Sequence, residues 1–78
     1  MIVSFKDADT KELFEKGSNK RWNNIAKVAT RKLIQIEASL NLNDLRVGQH
    51  SVRVNDQFRI CFVWKEDGAH QVEITHYH

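Results

Sequence analysis

The sequence predicts an α+β fold of order β-α-α-β-β-β, an antiparallel sheet with a two-helix hairpin packed on one face. Three observations predict it. The segment GQHSVRVNDQFRICFVW alternates apolar and polar residues, which is the period-2 signature of strands with one buried side. The middle of the chain instead places Ile25, Ala29, Leu33, Ile36 and Leu40 at spacings of three and four, giving one apolar stripe on a helix. Turn-forming residues at EDG, before a last alternating run VEITHYH, add a third strand. Runs of helices beside runs of strands make a two-layer α+β arrangement.

Taken in order, Ile2 to Phe5 is a short candidate strand. Asp7 or Asp9 can cap a helix from about Thr10 to Lys16, with Leu13 and Phe14 inward and Gly17 as its stop. Ser18 to Asn24 is a polar connection in which Trp22 anchors the next helix to the core. That helix spans about Asn24 to Leu40, and Lys27, Thr30, Arg31 and Gln35 fall away from its apolar stripe. Asn41 to Val47 reads as a polar turn with Leu42 and Leu45 tucked back. In the strands that follow, a three-residue loop at Asn55-Asp56-Gln57 sets Val54 opposite Phe58 and Val52 opposite Ile60. Every large apolar group then shares one face. A two-residue turn would split that set between the faces. The favoured register places Arg53 across from Arg59 on the other face. Like charges so placed destabilise a sheet unless an anion lies near them, which points to phosphate.

With 78 residues the chain is expected to form one domain over residues 1–78. A chain of this length buries only ~60% of its unfolded surface. Hydrophobic content of 41% and charged content of 28% are globular values. No apolar run approaches the length of a membrane span, and the start does not read as a signal peptide. Cys61 is the one cysteine and falls mid-strand, so no internal disulfide is possible and a cytoplasmic location is expected. Net charge is +2, unevenly spread. Between Glu15 and Glu37 there is no acid, while Lys16, Lys20, Arg21, Lys27, Arg31 and Lys32 supply six cations. Such a block is either a solvated helix face or a polyanion-binding surface.

The segments SFKDADTKELFEKG, RWNNIAKVATRKL, SVRVNDQFRICFVW and VEITHYH together resemble the HigB branch of the RelE/ParE toxin superfamily, over nearly the whole chain. The resemblance implies the toxin of a type II toxin–antitoxin pair, which cleaves mRNA on the translating ribosome without a cofactor or metal. Its implied partners are the ribosome, mRNA and a helix-turn-helix antitoxin similar to HigA. Family catalysis uses the strand arginine, matching Arg59, and the terminal tyrosine and histidine, matching Tyr77 and His78. The residue before that pair is commonly aspartate in the family and is His76 here. Relatives also carry a longer connection, with an extra strand and basic residues, where Val47 here runs straight into Gly48.

A metal-free ribonuclease lets the RNA 2′-hydroxyl attack the adjacent phosphate. It needs a base for that proton, a cation for the charged phosphorane and an acid for the 5′-oxygen. Arg59 suits the cation role, because its fork of donors matches two phosphate oxygens. Arg53 is its secondary candidate. His78 is the candidate acid, Tyr77 a group to position phosphate or stack on a base, and His76 a secondary candidate. Strict alternation sets Tyr77 on the Arg59 face and His76 and His78 on the other. Lys20, Arg21, Lys27, Arg31 and Lys32 are the expected ribosome-contacting cations. Read without the resemblance, a strand arginine is ordinarily a solvated charge, His50 and His70 are surface groups, and Cys61 is a small packed residue. The pair His76 and His78 lacks the further ligands a zinc site needs. Two other functions fit the same fold: a ParE-like inhibitor of DNA gyrase without enzymatic activity, and an RNA-binding module.

Overall fold

The computed structural model describes residues 1–38 and 46–76. Within them the chain forms two helices and a three-stranded antiparallel sheet: α1 (Ala8–Lys16), α2 (Ala26–Ala38), β1 (Gly48–Arg53), β2 (Phe58–Lys65) and β3 (Gly68–His76). The expectations for Leu40, Leu42, Leu45, Tyr77 and His78 lie outside the described residues.

Both ends of α1 are set by single residues. Asp7 is the N-cap: its Oδ2 accepts from the Thr10 amide at 3.0 Å and its Oδ1 from the Thr10 hydroxyl at 2.7 Å. The Thr10 hydroxyl oxygen in turn accepts from the Ile74 amide at 3.3 Å, tying the start of the helix to β3. Gly17 ends the helix in the left-handed region at φ 73°, where its amide donates to the Leu13 carbonyl at 2.8 Å. Asn19 then braces the turn. Its side-chain amide donates to Asp9 and Glu12, and its carbonyl oxygen accepts from the Trp22 amide. Trp22 is buried edge-on against Phe58, with ring centroids 5.5 Å apart, and anchors the helix as expected. The second helix opens with a 3₁₀ turn at Asn23–Ile25 before α2 proper. Ile25, Ala29, Leu33 and Ile36 are its buried stripe. Lys27, Arg31 and Gln35 are exposed, whereas Thr30 is half-buried with its hydroxyl covered, contrary to the outward placement expected of it.

The sheet follows the register read from the sequence. Val52 pairs with Ile60 and Arg53 with Arg59, while the Val54 amide donates to the Phe58 carbonyl at 2.9 Å. Asn55 closes the loop by accepting from the amides of Gln57 and Phe58, at 2.8 and 2.9 Å. Along β2, Phe58, Ile60 and Phe62 are buried and meet Leu13, Leu33 and Val72 in one apolar cluster beneath the helices. Chain passes directly from Val47 into Gly48, the first residue of β1.

Two features depart from regular strands. In β3 the register shifts so that Gln71 and Val72 together oppose Phe62, and Gln71 takes φ 54°. This β-bulge lets Ala69 and Val72, three residues apart, both point into the core. The N-terminal segment lies parallel to the outer edge of β3 and bulges in step. Ile2 bridges Ala69 and Phe5 bridges Val72, so the expected strand Ile2–Phe5 is two isolated bridges. The Val3 amide donates to the Ala69 carbonyl at 2.7 Å, and the Val72 amide to the Ser4 carbonyl at 3.1 Å. Glu37 on α2 accepts from the Ile2 amide at 2.7 Å, which fixes the segment to the helix layer as well.

Candidate functional site

The strand positions that alternate with the core residues form the second face of the sheet, and among the described residues no helix covers it. That face is a groove of about 550 Å³. Its floor is Arg59, Cys61 and Val63 of β2, each half-buried. Gln49 and Ser51 of β1 line one side, and Glu73 and Thr75 of β3 the other. Lys6, from the N-terminal segment, reaches over the β3 side and pairs with Glu73 at 3.1 Å.

Pairing fixes the order of these groups across the groove. One row runs Arg53, Arg59, Thr75; the next runs Ser51, Cys61, Glu73. Arg59 and Glu73 are therefore diagonal neighbours on adjacent strands, a relation that spans ~7–8 Å between backbones and lies within reach of long side chains. His50 lies at the groove's far end but turns to the other face of the sheet, where it is paired with Phe62 and its ring stacks on Phe62, with its Nε2 2.6 Å from the Arg46 carbonyl oxygen.

The candidate residues named from the sequence are partly gathered here. Arg59 lines the groove. Arg53 turns instead to its own hairpin, where its guanidinium pairs with Asp56 and its Nε donates to the Asn55 carbonyl at 3.3 Å. The facing arginines thus hold an internal carboxylate nearby, so their juxtaposition does not by itself call for a bound phosphate. His76 is opposite Phe58 and packs on its ring at 4.5 Å, on the side away from Arg59, as alternation requires. Tyr77 and His78 lie outside the described residues.

The basic block is elsewhere. Lys27 and Arg31 are exposed on the outer side of α2, with the sheet between them and the groove. Lys20 is exposed and Lys32 half-buried. The expectation of an uncompensated block is corrected at two positions. Arg21 lies 3.6 Å from Asp9 and stacks over the Trp22 ring at 4.8 Å, and Lys16 lies 3.9 Å from Glu12. Acids of α1 therefore answer one cation at the helix's own end and one that follows it in sequence, an effect that a count along the chain misses. Groove and basic block are two separate surfaces, on opposite sides of the sheet.

Sequence reading did not single out Lys6 or Glu73. The signal for Glu73 was present, since alternation with Ile74 puts residues 73 and 75 on the Arg59 face. Lys6 gave none, because only the pairing of the N-terminal segment with β3 brings it to the groove. Among the described residues no helix is long and apolar enough to cross a membrane. No protein-family model matches this sequence, and no curated protein matches it.

Proposed function

We propose that this chain is the toxin of a type II toxin–antitoxin pair: a HigB-like, RelE-like endoribonuclease that cuts mRNA on the ribosome in the cytoplasm and is held inactive by a helix-turn-helix antitoxin. The observation that supports this reading is Arg59. It lies on the floor of an open groove, on the sheet face that the helices leave uncovered. An arginine there can present two parallel donors to one phosphate in an open site walled by polar groups. In this reading Arg59 stabilises the phosphorane formed when the 2′-hydroxyl attacks, Tyr77 positions the phosphate and His78 protonates the departing 5′-oxygen. Arg53, committed to Asp56, does not touch the reacting phosphate. The cations on α2 serve docking to ribosomal RNA from the other side of the molecule.

The test is induction of the protein while bulk translation, DNA replication and mRNA 5′ ends are followed together. New mRNA 5′ ends that appear only while ribosomes translate, with translation arrested and replication unaffected at first, are the expected result. Arrest of replication with intact mRNA would point instead to a ParE-like gyrase inhibitor. Ribosome binding without cleavage would leave only the RNA-binding module.

A further inference from the structure

The nuclease reading supplies a cation and an acid but no base. Among the described residues the groove contains one carboxylate, Glu73, and we infer that it is the general base that takes the 2′-hydroxyl proton; this rests on the nuclease reading above. Three observations on the sheet carry it. Glu73 lies on the same face as Arg59, one strand over and two positions along, so it stands within reach of a ribose whose phosphate Arg59 grips. Its side chain is largely withdrawn from solvent, at 29% exposure, yet it opens into the groove and not into the core. Lys6 pairs with its carboxylate at 3.1 Å, so the group is partly placed before the substrate arrives, which lowers the cost of positioning it during the reaction. His50, the nearest histidine on β1, is three residue pairs from the Arg59 row, ~10 Å along the strand; its ring stacks on Phe62 on the core-side face and is bonded to the Arg46 carbonyl.

The step balances as follows. The Glu73 carboxylate takes the proton from O2′, the O2′ oxygen forms a bond to phosphorus, and the bond from phosphorus to O5′ breaks. The leaving O5′ takes a proton from the acid, giving a 2′,3′-cyclic phosphate and a 5′-hydroxyl end. Glu73 later returns its proton to water. Ionisable groups facing Glu73 are Lys6 from the N-terminal segment and Arg59 and Cys61 from β2.

The experiment measures single-turnover cleavage of ribosome-bound mRNA by wild type, Glu73→Gln, Glu73→Asp and Glu66→Gln, each across pH and with a thermal melt. Glu66 is an exposed acid in the β2–β3 turn, outside the groove, and controls for loss of a negative charge. The expected result is a fall of ~10²–10⁴-fold for Glu73→Gln with the acid-side limb of the rate profile abolished. Glu73→Asp, which keeps the carboxylate but draws it back by one methylene, should fall between Glu73→Gln and wild type. Should Glu73→Gln fail to fold, Glu73→Asp decides alone, by a reduced rate with the limb retained. Wild-type rates in the Glu73 variants, or a fall in Glu73→Gln that leaves the acid limb in place, overturn the inference while the nuclease reading stands. A wild-type protein that cuts no mRNA overturns both.

Discussion

Arg59 and Ile60 are neighbours in β2, and the two faces of the sheet part them. Ile60 is fully buried among Leu13, Leu33 and Val72, and its environment is closed and apolar. Arg59 stands in an open groove among Cys61, Thr75 and Glu73. One face is filled at the density of an interior, where each methylene counts. The other gathers polar and charged groups that the fold does not need for its packing. Residue types that look misplaced on a strand, an arginine and a glutamate side by side, are placed where they cost the core nothing. The comparison teaches that stability and chemistry are separable along a single strand, residue by residue.

The largest break in that comparison comes from the filled face. Ile60→Ala should destabilise by about 2–5 kcal/mol, since it leaves a cavity at a site with no solvent access. Chemical denaturation checks it; a cost below 1 kcal/mol would mean the helix layer is loosely packed. Next is Thr10, buried between α1 and β3. Thr10→Val keeps the shape but removes the hydroxyl that serves both Asp7 and the Ile74 amide, for an expected loss of about 1–3 kcal/mol. The same denaturation measurement applies, and a neutral result would show that water replaces the bond.

How much of this was legible depended on how local the determinant was. The register of β1 and β2 was readable because a one-residue slip would turn Val52, Phe58 and Ile60 out to solvent. The Asp7 cap and Gly17 stop were readable because each acts within one turn of helix. The bulge was not, since Gln71 carries no mark of a left-handed backbone; the need to bury both Ala69 and Val72 creates it. For the same reason the N-terminal strand was overestimated, as its partner's bulge breaks the ladder into two bridges. In the groove, Arg59 was readable from alternation alone, whereas the Lys6–Glu73 pair joins residues 67 apart in sequence and needed the fold.

A smaller effect belongs to the turn that links β2 to β3. His70 hydrogen-bonds the Asp67 carboxylate at 2.6 Å and holds its pKa below the ordinary 3.8. A depressed folded pKa contributes stability above the unfolded value, lost as pH falls through the folded one. Wild type should therefore exceed Asp67→Asn slightly in melting temperature above about pH 4, with the difference vanishing at lower pH. A difference that grows towards acid would contradict that sign. Asp67 is solvent-exposed, so salt should shrink the effect.

The sharpest test of the division between the two faces is cleavage of ribosome-bound mRNA by Arg59→Ala, measured at a temperature where a melt shows the variant folded. The expected rate is lower by about 10²–10³-fold, as when one donor to a developing charge is removed. Its stability should stay within about 1 kcal/mol of wild type, far from the loss expected at Ile60. A folded Arg59→Ala protein that cuts at the wild-type rate, or one that unfolds as Ile60→Ala does, would contradict the assignment of chemistry to the open face.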